Sequence, residues 1–230
     1  MSARLGFWAA AASGAFAIAA FAMGIGTPPR SGPYCTTACV GYPYTNVAEF
    51  VPRDYLWMYP AILVPLAFVV LMAAIDQHSA AGNKTLSHAG LGFAVMSAAL
   101  LGADYFIQLA VMQPSLLNGE TDGLSLFSQY NPHGIFVALE DFGYLMMSLA
   151  FLCAGAALIG RTKTERALRW IFIVGGMGAV AALIVLSLIF GNNLDYRFEV
   201  VVLSINWSVL AVTGVLMALL FRKGGGETAA

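Results

Sequence analysis

The chain has 230 residues, 60% hydrophobic and only 10% charged, with a formal net charge of -1. A water-soluble domain carries about 25% charged residues, so that class is excluded. The small net charge and the lack of a large basic cluster exclude nucleic acid as a partner.

The apolar residues fall in blocks of about twenty, the length that crosses roughly 30 Å of hydrocarbon. The runs are continuous rather than alternating, which excludes a β-barrel. Without water to satisfy its backbone, each run must be an α-helix. The expected fold is a single all-α domain over 1–230, a polytopic membrane bundle with lipids as its neighbours. Six spans can be drawn, at about 5–24, 56–75, 89–112, 134–158, 170–190 and 200–221.

The first span is rich in Ala and Gly, with Ala11, Ala15 and Ala19 at four-residue steps. Small residues at that spacing predict a packing face. Arg4, the apolar run and Ala20-Phe21-Ala22 also fit a signal peptide with its cleavage site, but an uncleaved first helix is preferred. A long loop follows, rich in Pro, Gly and Tyr, and reads as a cap over the mouth of the bundle. It holds Cys35 and Cys39, for which a disulfide is the simplest reading. Two lone thiols without a nearby His or second Cys pair make no metal site. No residue pattern names a cofactor.

Span two carries Pro60 and Pro65, expected to kink it. Asp76 and His78 close it and read as a solvated end. Span three contains Asp104, Tyr105 and Gln108, with Asp104 and Gln108 on one face. Asp104 lies about eight residues from the outer end, roughly 12 Å deep. The loop after it has no Lys or Arg and ends in Tyr130-Asn131-Pro132-His133. There Asn131 reads as the N-cap of the next helix.

In span four, His133, Glu140 and Tyr144 stand on one stripe that Ser148 extends, with Asp141 about 100° further round. Glu140 is roughly 9 Å below the surface. Span five holds Gly175, Gly176 and Gly178 and no charge, so it reads as a packing helix. Span six repeats Glu199, Asn206 and Thr213 every seven residues, while Asp195, Arg197 and Glu199 read together as membrane-surface charge.

Loop charges set the orientation. Arg161, Lys163, Arg166 and Arg169 join spans four and five; Lys84, Arg4, Arg222 and Lys223 lie at the same end. The positive-inside rule then puts both termini in the cytoplasm. Arg30, Arg53 and Arg197 fall outside on this scheme.

Charged groups inside hydrocarbon are costly, so intramembrane carboxylates mark a functional site by default. Three polar stripes at matching depth are expected to converge. Asp104, Gln108, Glu140, Asp141, Tyr144 and Asn206 would then form one ligand-binding pocket open to the outside. For Gln108, Asn206, Ser148 and Thr213 a packing role, at about 0.6 kcal/mol each, is the better reading. A structural pair of Arg197 with Glu140 or Asp141 competes for the carboxylates.

Three function classes fit. One is a protein that binds or transports a small or lipophilic ligand, where a homo-oligomer would make up for the chain's size. One is a membrane acid–base enzyme, an isomerase or cyclase acting on an isoprenoid or sterol-like substrate, with Asp104 and Glu140 in the acid and base roles. The last is an accessory protein whose polar residues only hold helices together.

The segments FVPRDYLWMYPA, ADYFIQLAVMQPSL and YNPHGIFVALEDFGYLMMSLAF resemble those of small polytopic bacterial membrane proteins of the domain-of-unknown-function type. The resemblance covers nearly the whole chain. It implies a six-helix inner-membrane protein and carries no activity and no functional residues.

Overall fold

The computed structural model describes residues 2–227, with side chains over 3–222. Lys223, counted above in the tail's positive charge, lies outside the described side chains. The all-α expectation holds: the described residues contain helices and turns and no strand. Six helical stretches are long and apolar enough to cross a membrane. The chain is a multi-pass membrane protein.

The helices are α1 (Ser2–Ile25), α2 (Met58–His78), α3 (Lys84–Ile107), α4 (Gln113–Asn118), α5 (Ile135–Ala157), α6 (Lys163–Phe190) and α7 (Arg197–Glu227). A π-helical turn, Gln108–Met112, joins α3 to α4, so the third span runs on to Asn118, past the end expected at 112. Pro114 sits in the first turn of α4, where a proline is tolerated, just after the wider π turn. Gly119, at φ 73°, ends the segment in the left-handed conformation that glycine adopts without cost. Pro65 lies inside an unbroken α2, and Pro60 falls in its first turn.

Helix contacts run α2–α1–α7–α5–α3–α2, closing a ring of five. α6 packs from outside against α5 and α7. Its Val174, Met177, Ile184, Leu188 and Ile189 are exposed, as suits a lipid-facing surface. Phe68 of α2 meets Phe151 of α5 edge-on at 5.3 Å, and Phe151 stacks on Phe172 of α6 at 5.4 Å. α1 packs by Ala10, Ser13, Gly14, Ala17 and Ala20, all buried, while Ala15 is exposed. The Ala11–Ala15–Ala19 stripe is therefore not the packing face. In a helix apolar all round, the contact stripe is chosen by the partner, here α7, and leaves no phase in the sequence.

The ends of the bundle differ. At one, Asp76 of α2 accepts from Ser87 Oγ (2.5 Å) and lies 3.3 Å from His88 Nε2 and 3.9 Å from Lys84 Nζ. It ties α2 to α3 rather than ending in solvent. At the other end three loops are laced into a cap. Asp54, fully buried, accepts from Arg30 Nε and Arg53 Nε at 2.9 Å each and from Tyr130 Oη at 3.3 Å. Ser31 Oγ donates to the Tyr130 carbonyl, and Tyr196 Oη donates to the Gln129 carbonyl at 2.9 Å. His133 Nε2 lies 3.0 Å from Asp195 Oδ1. Cys35 and Cys39 are joined by a disulfide in the first of these loops.

The cap's electrostatics follow from this lacing. The Asp54 carboxylate raises the Arg30 guanidinium above its ordinary value. Burial pushes the Tyr130 and Tyr196 phenols up, so both stay neutral donors at any ordinary pH. Asn131 is not the N-cap of α5. Its carbonyl side chain accepts from the His133 N–H at 3.0 Å, its amide donates to the Ser125 carbonyl, and Gly134 takes the cap position. A side chain at 134 would lie 2.9 Å from the Leu126 carbonyl oxygen, so the loop closes against α5 only over glycine.

Candidate functional site

Below the cap, α3, α5 and α7 bring acidic and aromatic side chains together. Trp207 of α7 has only an N–H to give, and donates it to Tyr144 Oη of α5 at 2.8 Å. Tyr144 and Tyr105 of α3 are 2.9 Å apart, and Tyr105 Oη donates to Glu140 Oε1. Each hydroxyl has one proton, so the direction is fixed: Trp207 to Tyr144 to Tyr105 to Glu140. Trp207, Tyr144, Tyr105 and Glu140 are all buried.

Glu199 of α7 is a close neighbour of Glu140. Oε2 of each is buried and receives no N–H or O–H donor. Two neighbouring buried carboxyl groups without a cation between them are relieved when the pair holds a proton. Asp104 and Asp141 stand beside Glu140, with Asp104 Oδ2 and Asp141 Oδ1 likewise without a donor. Among the described residues no Arg or Lys pairs with any of these four carboxyls. Arg197, weighed above as a partner for Glu140 or Asp141, binds Asp195 at 2.9 Å and lies over the Phe190 ring at 4.3 Å. Among the described residues no three His, Cys, Asp or Glu side chains converge as a metal site would require.

The six residues singled out from sequence thus divide. Asp104, Glu140, Asp141 and Tyr144 gather in one cluster. Gln108 turns to the cap, where its Nε2 donates to the Phe127 carbonyl at 2.6 Å. Asn206 donates to Ser148 Oγ at 2.9 Å and to the Val202 carbonyl at 2.7 Å, linking α7 to α5. Asn206→Ala is expected to cost about 0.6 kcal/mol, a small drop in the denaturing detergent fraction at half unfolding.

A cavity of about 350 Å³ lies next to this cluster, between α1, α7 and the cap. None of the six residues lines it. Glu199 does, together with Phe21, Trp57, Tyr196, Leu203 and Trp207. The reason is an aromatic partition. Trp57 and Trp207 face the cavity and lie 6.2 Å apart, while behind them Trp57 touches Tyr105 at 5.5 Å and Trp207 touches Tyr144 at 6.2 Å. Glu199 alone of the four carboxylic residues belongs both to the cavity wall and to the cluster.

The chain matches no protein-family model, no curated protein and no solved structure.

Glu199, Tyr105 and Trp207 are functional candidates that the sequence reading left out. Glu199 was visible in the seven-residue stripe of span six, at the depth of a first helical turn. Its neighbours Asp195 and Arg197 made it look like surface charge. Residues two apart on a helix point about 200° from each other, so Arg197 facing out sends Glu199 in. Tyr105 directly follows Asp104, but its role depends on Tyr144 across the helix interface, which no spacing on α3 discloses.

Proposed function

We propose that this protein binds an amphipathic, lipophilic ligand in the cavity between α1, α7 and the cap. It sits in a bacterial inner membrane with both termini in the cytoplasm and the cap on the outer side. The observation that carries the reading is a cavity with apolar aromatic walls and one carboxyl, Glu199, tied to a buried acidic cluster. Sites of a few hundred Å3 with mostly apolar walls and few convergent polar groups are what small molecules occupy. The orientation rests on the basic residues 161, 163, 166 and 169 and Lys84, all at the end opposite the cap.

Gly24 offers the test. It lines the cavity, and a Cβ there would meet only Trp207 at 3.8 Å, so a larger side chain grows into empty space. The purified protein in nanodiscs is expected to retain a lipid-like molecule detectable by native mass spectrometry. Gly24→Phe should lower its occupancy about tenfold with the fold intact. Equal occupancy in the two proteins would remove the cavity as the binding site.

A second reading, a membrane acid–base enzyme of the isomerase or cyclase kind, draws on the neighbouring Glu140 and Glu199 carboxyls, the second of them in the cavity wall. It predicts deuterium incorporation into an isoprenoid incubated with the protein in heavy water. A binding protein returns the isoprenoid unlabelled.

A further inference from the structure

The charge of the ligand can be read from the wall of the cavity. We infer that the cavity takes the cationic head of a lipophilic amine or quaternary ammonium, held by Glu199 and the surrounding aromatic rings in exchange for the proton that Glu199 shares with Glu140. This rests on the ligand-binding reading above.

Four observations point to a cation. Glu199 lines the cavity, and its Oε2 is buried with no donor among the described residues. The one basic residue in the wall, Arg30, is already engaged: its Nε donates to Asp54 at 2.9 Å and its guanidinium lies 3.8 Å from the centre of the Phe50 ring. Asp54 is shared with Arg53, also at 2.9 Å, so it offsets the Arg30 charge in part and, with the ring, holds the guanidinium to the cap. The wall is also rich in ring faces, with Phe21, Tyr34, Trp57, Tyr130, Tyr196 and Trp207 around it. Aromatic faces attract ammonium groups, Trp most strongly. Finally, the groups that face Glu199 are acidic or neutral. Glu140 and Asp141 come from α5 and Asp104 from α3, while on its own side Asp195 is held by Arg197 and His133 and Tyr196 stays neutral.

The alternatives fare worse against the same wall. A phosphate or carboxylate head would be placed beside the Glu199 carboxyl, and its one basic neighbour in the wall, Arg30, is already drawn to Asp54 and the Phe50 ring. A neutral head could satisfy Glu199 only by keeping its proton and would leave the aromatic ring unexplained. A cation satisfies both. The exchange balances: the O–H bond on Glu199 breaks, the proton leaves to solvent, and the ammonium takes over its charge. Glu140 keeps the hydrogen bond from Tyr105 throughout.

Three probes with one decyl chain separate the cases: decyltrimethylammonium, decanol and decanoate, titrated into the protein in nanodiscs. The cation should bind at least about tenfold tighter than decanol. In weakly buffered solution it should release about one proton per molecule bound. Glu199→Gln, which keeps the shape and can still donate to Glu140, should lose that preference about tenfold while decanol binding stays within about twofold. Should the variant not fold, the proton count on the unaltered protein decides alone. Decanol or decanoate binding as well as the cation, or cation binding without proton release, overturns the inference and leaves the cavity reading standing. Failure of all three to bind sinks the cavity reading itself.

Discussion

Asp54→Ala is expected to unfasten the cap and cost about 3–5 kcal/mol. The reason is asymmetry between making and breaking a buried pair. Asp54 has no exposed surface and holds Arg30, whose side chain is only 11% exposed, together with Arg53 and Tyr130. Removing the carboxylate leaves the Arg30 guanidinium buried with a ring face and no counter-charge. It also frees the Tyr130 hydroxyl, so the second cap loop loses its tie to the first. Arg53→Ala is the contrast. Arg53 makes the same 2.9 Å contact with Asp54, but its side chain is 65% exposed, and an exposed pair contributes about 0–1 kcal/mol. Unfolding in mixed detergent micelles should therefore separate the two substitutions widely. Asp54→Asn, which keeps an acceptor and loses the charge, should fall between them. If Asp54→Ala and Arg53→Ala behave alike, the cap is not held from inside.

Much of this architecture was legible in the sequence. Six apolar runs of bilayer length have one physical solution in hydrocarbon, so the count and type of the spans followed from composition. The third span, drawn to 112 from hydropathy, runs on through a π turn to Asn118. The acidic cluster was also foreseeable, since Asp104 and Glu140 are too costly in lipid to face outward. Which polar groups touch was not. Gln108 shares a face with Asp104, yet the π turn at its own position redirects it to the Phe127 carbonyl. The partition made by Trp57 and Trp207 could not be seen either. Only packing against Tyr105 and Trp207 turns Trp57 into a wall between cavity and cluster.

That wall has a functional consequence. With the acidic cluster behind aromatic rings, Glu199 is the carboxyl that joins cavity and cluster. Changes at Asp104 or Asp141 should therefore act on a ligand through the charge state of the Glu140–Glu199 pair rather than by contact. The hydrogen-bond chain from Trp207 ends on Glu140 and so biases that pair from the opposite side. A ligand that displaces the Trp207 ring would disturb both the wall and the chain of donors behind it.

The helices that form the cavity are themselves set by a close crossing, and Gly214→Leu is expected to break it. A Cβ at Gly214 of α7 would lie 2.8 Å from the Ala10 carbonyl oxygen and 2.9 Å from the Gly14 Cα of α1. These are backbone atoms, which cannot swing aside as a flexible side chain can. The two helices must separate or slide, at about 3 kcal/mol, the upper end of what overpacking costs. In a bilayer no hydrophobic effect between helices compensates, because lipid tails serve an apolar surface as well as a neighbouring helix does. Gly102→Ala is the control: it lies in α3 with nothing within 4 Å of a Cβ, and the change should be neutral or stabilise by roughly 0.5–1 kcal/mol through helix propensity. The same crossing sets the spacing of Phe21 and Gly24 on α1 from Glu199, Leu203 and Trp207 on α7, which together bound the cavity. Gly214→Leu should therefore lower both the unfolding midpoint and ligand occupancy, whereas Gly102→Ala should lower neither. A Gly214→Leu protein with wild-type stability would mean that α1 and α7 do not approach this closely in the membrane, and the cavity they enclose would lose its dimensions with them.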